Sequence, residues 1–169
     1  MKKKVIITIS WFLVVIWMGV IFCFSSVNAT KSVSDSRKII EKTIEKTVET
    51  TNKTGLTDKH PSKGKIEDTS IELDYPFRKG MHITVYLILV LLVLNALYQS
   101  GVRNKLLYIL GILISVIYSC SDEYHQLFTE RTGEIKDVFI DSIGIILGSI
   151  LYKLGFVIYN KKIKSIKSN

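Results

Sequence analysis

The sequence predicts an all-α, polytopic membrane protein: four transmembrane helices with an additional amphipathic extracytoplasmic helix, in a single domain over residues 1–169. Three observations predict it. Apolar residues, 47% of the chain, collect in four long blocks rather than in short periodic pieces. Charged residues collect between those blocks. The basic residues fall in three groups that four crossings would put on one side of a bilayer.

The first block runs from Val5 to Phe24 and the fourth from Val138 to Tyr159. Each meets the ~20 apolar residues that a spanning helix needs to cross a hydrocarbon core of about 30 Å. The second, Ile83 to Tyr98, and the third, Leu106 to Ser119, are shorter, so their flanks Arg78–His82 and Ser121–Gln126 must carry the helices into the interface. The expected spans are therefore 5–24, 81–99, 106–125 and 138–159. A soluble helix would show a polar stripe; Ile83–Leu97 has almost none, which argues against a soluble bundle of greasy helices. The competing reading of the first block is a signal peptide cleaved after Val27-Asn28-Ala29. The block is long for that role, and bulky Phe22 before Cys23 does not suit a lipoprotein cysteine. Cys23 and Cys120 lack zinc-site spacing and are expected as buried thiols acting as small apolar groups.

Lys2–Lys4 precede the first span, Arg103 and Lys105 lie between the second and third, and Lys161, Lys162, Lys164 and Lys167 crowd the C-terminus. The positive-inside rule assigns that side, and both termini, to the cytoplasm. The net charge of +8 is thus a topology signal, and no nucleic-acid motif accompanies it. Segments 25–80 and 121–137 are then outside. In the variable outer segment 25–77, Ser32-Val33-Ser34-Asp35 has capping-box spacing, and Ile40, Ile44 and Val48 recur every fourth residue. Lys38–Glu41, Lys42–Glu45 and Lys46–Glu49 place opposite charges three apart. A solvated helix with a thin apolar stripe follows, resting on the membrane surface or on the other outer loop. Thr50 to Ser70, with His60-Pro61, reads as flexible, and Pro76 suits the entry to the second span. No internal repeat is visible.

The ionisable residues at the outer ends of the spans carry the functional signal, because such groups are costly in a membrane unless they meet each other, water or a ligand. Arg78, His82 and Tyr86 are four apart and form one stripe. Asp122, His125 and Gln126 share a face, with Glu123 turned aside. Asp137, Asp141, Gly144 and Gly148 form a third stripe, and the small pair Gly144-xxx-Gly148 allows close helix approach. That approach would draw Asp141, inside the fourth apolar block, toward Arg78, His82 or His125. Each residue also has a plain structural reading: Arg78 as a headgroup anchor, His82 as an interhelical hydrogen-bonder, Asp122 and Glu123 as helix-end solvation, Asp141 in a fold-locking ion pair. The spacings match no metal motif, so no metal or other cofactor is expected.

Phe24-Ser25-Ser26, then Arg78-Lys79 with His82 and Tyr86, then Ser121-Asp122-Glu123-Tyr124-His125-Gln126-Leu127-Phe128, then Arg131 with Thr132-Gly133, Asp137, Asp141, Gly144 and Gly148 resemble the VanZ-like family of small bacterial membrane proteins. The likeness covers nearly the whole chain except 29–75; Val27 departs from the Gln that tends to follow Phe-Ser-Ser in the family. It implies a four-span protein of the bacterial cell membrane, with a namesake linked to resistance toward the glycopeptide teicoplanin. The expected role is binding an envelope lipid, either a lipid-linked cell-wall precursor or a phospholipid headgroup. The expected binding residues are Arg78, His82, Asp122, Glu123, His125, Gln126, Arg131, Asp137 and Asp141. Arg78 and His82 would hold phosphate oxygens, and the aspartates would orient those cations or meet an amine. The alternative is an enzyme acting on a lipid-linked substrate, with His125 as general base set by Asp122 and a metal held by other carboxylates.

Overall fold

A serine hydroxyl, two tryptophan indoles and a pair of glycines account for much of how this chain is arranged. The computed structural model describes residues 2–27, 29–54, 61–126 and 135–168. Among them are five helices and no strand: α1 (Lys2–Ser25), α2 (Ala29–Lys53), α3 (Lys63–Gln99), α4 (Asn104–Gln126) and α5 (Ile135–Ser168). Helices α1, α3, α4 and the Lys136–Tyr159 part of α5 are long and apolar enough to cross a membrane. Helix α2 is the additional amphipathic one, so the all-α polytopic architecture is as predicted.

Local boundaries depart from expectation for identifiable reasons. The 63–70 segment is helical, not flexible, because α3 starts at Lys63, well before its apolar block opens at Ile83. Ser62 caps it: its hydroxyl accepts from the Lys65 amide at 3.4 Å, and its carbonyl accepts from the Ile66 amide at 3.1 Å. Helix α2 starts at Ala29, so Ser32 lies inside it rather than at its cap. Among the described residues its ion pair joins residues four apart, Lys53 and Glu49 at 2.6 Å, and not the three-apart pairs expected. The Lys53 ammonium holds the Glu49 carboxyl below its ordinary pKa. At the end of α1, the Ser25 and Ser26 hydroxyls both donate to the Phe22 carbonyl, at 3.0 and 2.7 Å, beside the Ser26 amide that already bonds it at 3.0 Å.

The chain divides into two compact units, Met1–Ser26 with His82–Asn169, and Val27–Met81. In the second unit, α2 runs antiparallel to the first part of α3. The Ser36 hydroxyl donates to Asp74 and the Ser70 hydroxyl to Glu41, the latter at 3.0 Å. Ile40 is buried and Ile44 and Val48 are half-buried, so the thin apolar stripe of α2 has part of α3 as its partner.

In the first unit the four apolar helices alternate in direction. The Trp11 indole donates to the Ser100 hydroxyl at 3.0 Å and the Trp17 indole to the Val85 carbonyl at 2.9 Å, which sets α1 antiparallel to α3. Leu94 lies against Gly111, and the Tyr86 hydroxyl donates to Asp122, which sets α4 antiparallel to α3. The turn between them ends α3 with paired bonds, Val102 amide to Leu97 carbonyl and Gly101 amide to Tyr98 carbonyl, around a Gly101 φ of 101° that glycine tolerates without strain. Lys2–Lys4 and Arg103–Lys105 therefore share one end of this unit, and the polar ends of α4 and α5 share the other.

Helix α3 is the centre: Leu89, Val90, Val93 and Leu94 are completely buried. The outer faces are apolar instead, with Phe12, Val15, Ile117 and Phe139 exposed, the last at 70%. A surface greasier than part of its interior is what lipid requires and water does not. Cys23 and Cys120 belong to that surface; they are free and exposed, which corrects their expected burial. Thiols that face lipid lose nothing by leaving the core.

Helix α5 approaches α3 through Gly144 and Gly148. A methyl group on Gly144 would sit 2.2 Å from the Ile83 carbonyl oxygen, and one on Gly148 2.8 Å from that of Leu87. Backbone cannot yield as a side chain can. Gly144→Ala is expected to destabilise by about 1–3 kcal/mol, read as earlier thermal unfolding in micelles. Gly19→Ala, with nothing within 4 Å of the added carbon, is the control that should unfold like the wild type.

Candidate functional site

Every fourth residue on one face of α4 is small: Gly111, Ser115 and Ser119 are all buried. Continued by three and four, that face reaches Asp122, Glu123 and Gln126, which are buried too. The structure thus corrects one expectation. Glu123 is not turned aside but faces inward at 6% exposure, while His125 lies on the neighbouring face with its ring 4.2 Å from that of Phe22. The residue that points away is Tyr124, which is exposed.

Asp141 reaches the same place from α5. One of its oxygens, Oδ2, accepts from the Ser119 hydroxyl at 2.6 Å, and Oδ1 lies 3.2 Å from His82 Nδ1. Asp122 Oδ2 accepts from the Tyr86 hydroxyl at 3.2 Å and from the Gln126 amide at 3.3 Å. That amide also reaches Glu123 Oε1 at 3.2 Å. The cluster draws on α3 (His82, Tyr86), α4 (Ser119, Asp122, Glu123, Gln126) and α5 (Asp141), with three carboxylates to one imidazole. Among the described residues, no lysine or arginine pairs with any of those carboxylates.

Magnitudes rank the three acids. A carboxylate in the middle of a membrane costs ~2.5–3.5 kcal/mol, and a hydrogen bond to a charged group returns about 1.5–3 kcal/mol. Asp141, with a short hydroxyl bond and an imidazole, is the best compensated. Glu123 is the worst: it has one long bond, and its Oε2 is buried with no partner. Asp122 Oδ1 and His125 Nδ1 are also buried without partners. A network built solely to lock helices together would not leave two carboxylate oxygens, Asp122 Oδ1 and Glu123 Oε2, unpartnered in its interior.

The remaining expected residues stand as follows. Arg78 belongs to the Val27–Met81 unit, where its Nε pairs with Asp74 at 3.3 Å. Asp137 is half-buried in the first turn of α5. Arg131, with Thr132-Gly133, Leu127 and Phe128, lies outside the described residues. Asp122 makes no hydrogen bond to His125, so the two do not form an oriented acid–base pair.

The VanZ/LLP1 family profile matches residues 10–158, so the match takes in α1 from Ser10 onward, α2 to α4, this cluster and nearly all of the apolar part of α5. The chain belongs to the VanZ/LLP1 family. No curated protein and no solved structure matches it.

In this VanZ/LLP1 protein the cluster has acceptors to spare and few donors. It can receive hydroxyls, ammonium groups or a metal cation, since His82, Glu123 and Asp141 each offer a ligand atom within 4.8 Å of the others. Bare phosphate would be repelled by it. Sequence reasoning passed over Ser119, which orients Asp141, and the Ser36–Asp74–Arg78 set of the second unit. The signal for Ser119 was present in the small residues at 111, 115 and 119, which mark the packed face of α4 before the acids begin. For Ser36 and Asp74, 38 residues apart, no local signal exists.

Removing the Tyr86 hydroxyl would leave Asp122 with only the long Gln126 bond. Tyr86→Phe is expected to lower stability by about 1.5–3 kcal/mol, measured as a shift in the unfolding midpoint in micelles. The corresponding Tyr108→Phe change, remote from the acids, should leave that midpoint in place.

Proposed function

We propose that this VanZ/LLP1 protein sits in the bacterial plasma membrane with both termini in the cytoplasm and binds an envelope lipid or lipid-linked cell-wall precursor. The observation that carries the reading is the set of buried acceptors without donors, Asp122 Oδ1 and Glu123 Oε2, at the end of α4. Headgroup hydroxyls or an amine of the precursor would complete them, and the half-buried His82 would give the ligand a further hydrogen-bonding edge. The cytoplasmic assignment of the opposite end is supported by Lys2–Lys4 and Arg103–Lys105, which follow the positive-inside bias. On this reading the cluster faces the outer leaflet, where cell-wall precursors are presented. A contribution to teicoplanin resistance would follow from occupying or shielding such a precursor.

Binding is favoured over catalysis because His125 Nδ1 has no partner that would fix the ring as a base. The test combines two readouts in a Gram-positive host, with membrane levels of each variant matched. Wild type is expected to retain a co-purifying envelope lipid in native mass spectrometry and to raise the teicoplanin dose needed to stop growth. Asp122→Asn and Glu123→Gln each remove a charge-assisted contact and should weaken retention by about ten- to a hundredfold. If both variants keep the lipid and the protection of the wild type, the cluster is not the binding site. If correctly inserted wild type retains no lipid and confers no protection, the proposed role falls.

A further inference from the structure

We propose that His82, Glu123 and Asp141 form a binding site for one divalent metal ion of the zinc or manganese class. The ion's occupancy does not depend on the lipid reading above, although the site lies within the same cluster. Three helices supply one ligand each: His82 from α3, Glu123 from α4 and Asp141 from α5.

The first argument is distance. Metal bonds of about 2.1 Å meeting at tetrahedral or octahedral angles put neighbouring ligand atoms about 3.0–3.4 Å apart. His82 Nδ1 and Asp141 Oδ1 are 3.2 Å apart, and a Glu123 oxygen lies within 4.8 Å of both ligand atoms. The second argument is orientation. Each carboxylate has one oxygen held by an uncharged neighbour, Asp141 Oδ2 by Ser119 and Glu123 Oε1 by Gln126. The other oxygen is left for something else. At Asp141 it meets the imidazole, and at Glu123 it meets nothing, although the residue is 94% buried by its 6% exposure. Metal-ligating carboxylates are oriented by outer hydrogen bonds of this kind.

The third argument is charge. A divalent ion balances two carboxylates, and with a neutral imidazole the three-ligand set becomes neutral inside an apolar bundle. No lysine or arginine does this among the described residues. One imidazole with two carboxylates suits zinc or manganese better than copper(I), which prefers sulfur, or calcium, which takes oxygen alone. Three protein ligands leave a coordination position open. Through it the ion would offer a positive charge to a phosphate-bearing headgroup that the carboxylates alone would repel; this last step rests on the lipid-binding reading.

The full-length protein, freed of any affinity tag and held in phosphatidylcholine nanodiscs, would be titrated with Zn²⁺ and, separately, with Mn²⁺. Calorimetry and elemental analysis are expected to show one ion per chain at micromolar affinity or tighter. Glu123→Gln should weaken binding at least about tenfold and Ser119→Ala about tenfold, the first by removing a ligand charge and the second by freeing Asp141. Zinc-edge absorption of the wild type should show a single imidazole among oxygens. Absence of stoichiometric binding by both ions, wild-type affinity in Glu123→Gln, or a zinc spectrum with no imidazole or with sulfur would each overturn the site. Should a variant lose its helical circular dichroism, the wild-type absorption spectrum decides alone. The titration contains no envelope precursor, so metal binding without lipid retention would keep this site while sinking the lipid-binding role.

Discussion

The contact between Gly144 and the Ile83 carbonyl is the constraint on which the rest of the spanning unit depends. With hydrogen in place of a side chain at 144 and 148, α5 can lie directly on the backbone of α3. Asp141, one turn before Gly144, is carried into the interior by that approach and has nowhere to go but between His82 and Ser119. Lipid cannot supply the force that holds helices together, since tails are as apolar as leucine; close packing and interhelical hydrogen bonds must do it. Here both come from the same stripe of α5.

Polarity in this unit is distributed inside-out. Large apolar side chains cover the outside, while one end of the interior holds three carboxylates, an imidazole, a phenol, a serine and an amide. The tryptophans Trp11 and Trp17 and the phenol of Tyr118, which donates to the Met18 carbonyl at 2.5 Å, tie α1 to this interior with single directed bonds. Such bonds set helix positions without filling the cluster's own vacant acceptors. The acids are therefore framed in part by contacts that do not depend on their own pairing, which is the condition under which a binding site can keep unsatisfied groups.

The Val27–Met81 unit follows a different logic. Its apolar stripe is thin, and its hydrogen-bonded contacts join polar side chains: Ser36 with Asp74, Ser70 with Glu41, Arg78 with Asp74. Arg78 was legible as a cation at the mouth of a span but not as the partner of Asp74. Both readings place it four residues from His82 on one helix. Only the structure shows which acid claims it.

By itself the sequence determined the class and count of spans, because the length of an apolar block and the bilayer's thickness leave little choice. It also determined that α5 would pack closely through Gly144 and Gly148, since small residues four apart are a local pattern. It named Asp122, Glu123, Gln126, Asp141 and His82 because polar groups inside or at the end of an apolar block stand out without any partner being known. What the tertiary structure decided was who meets whom. That Glu123 turns in and His125 turns toward Phe22 depends on which face of α4 the neighbouring helices cover. The faint stripe of Gly111, Ser115 and Ser119 pointed to that face less loudly than the acids did. The pairing of Asp141 with Ser119 and His82, and of Ser36 with Asp74, joins residues far apart in the chain. Such contacts are set by helix packing, and spacing along one helix carries no record of them.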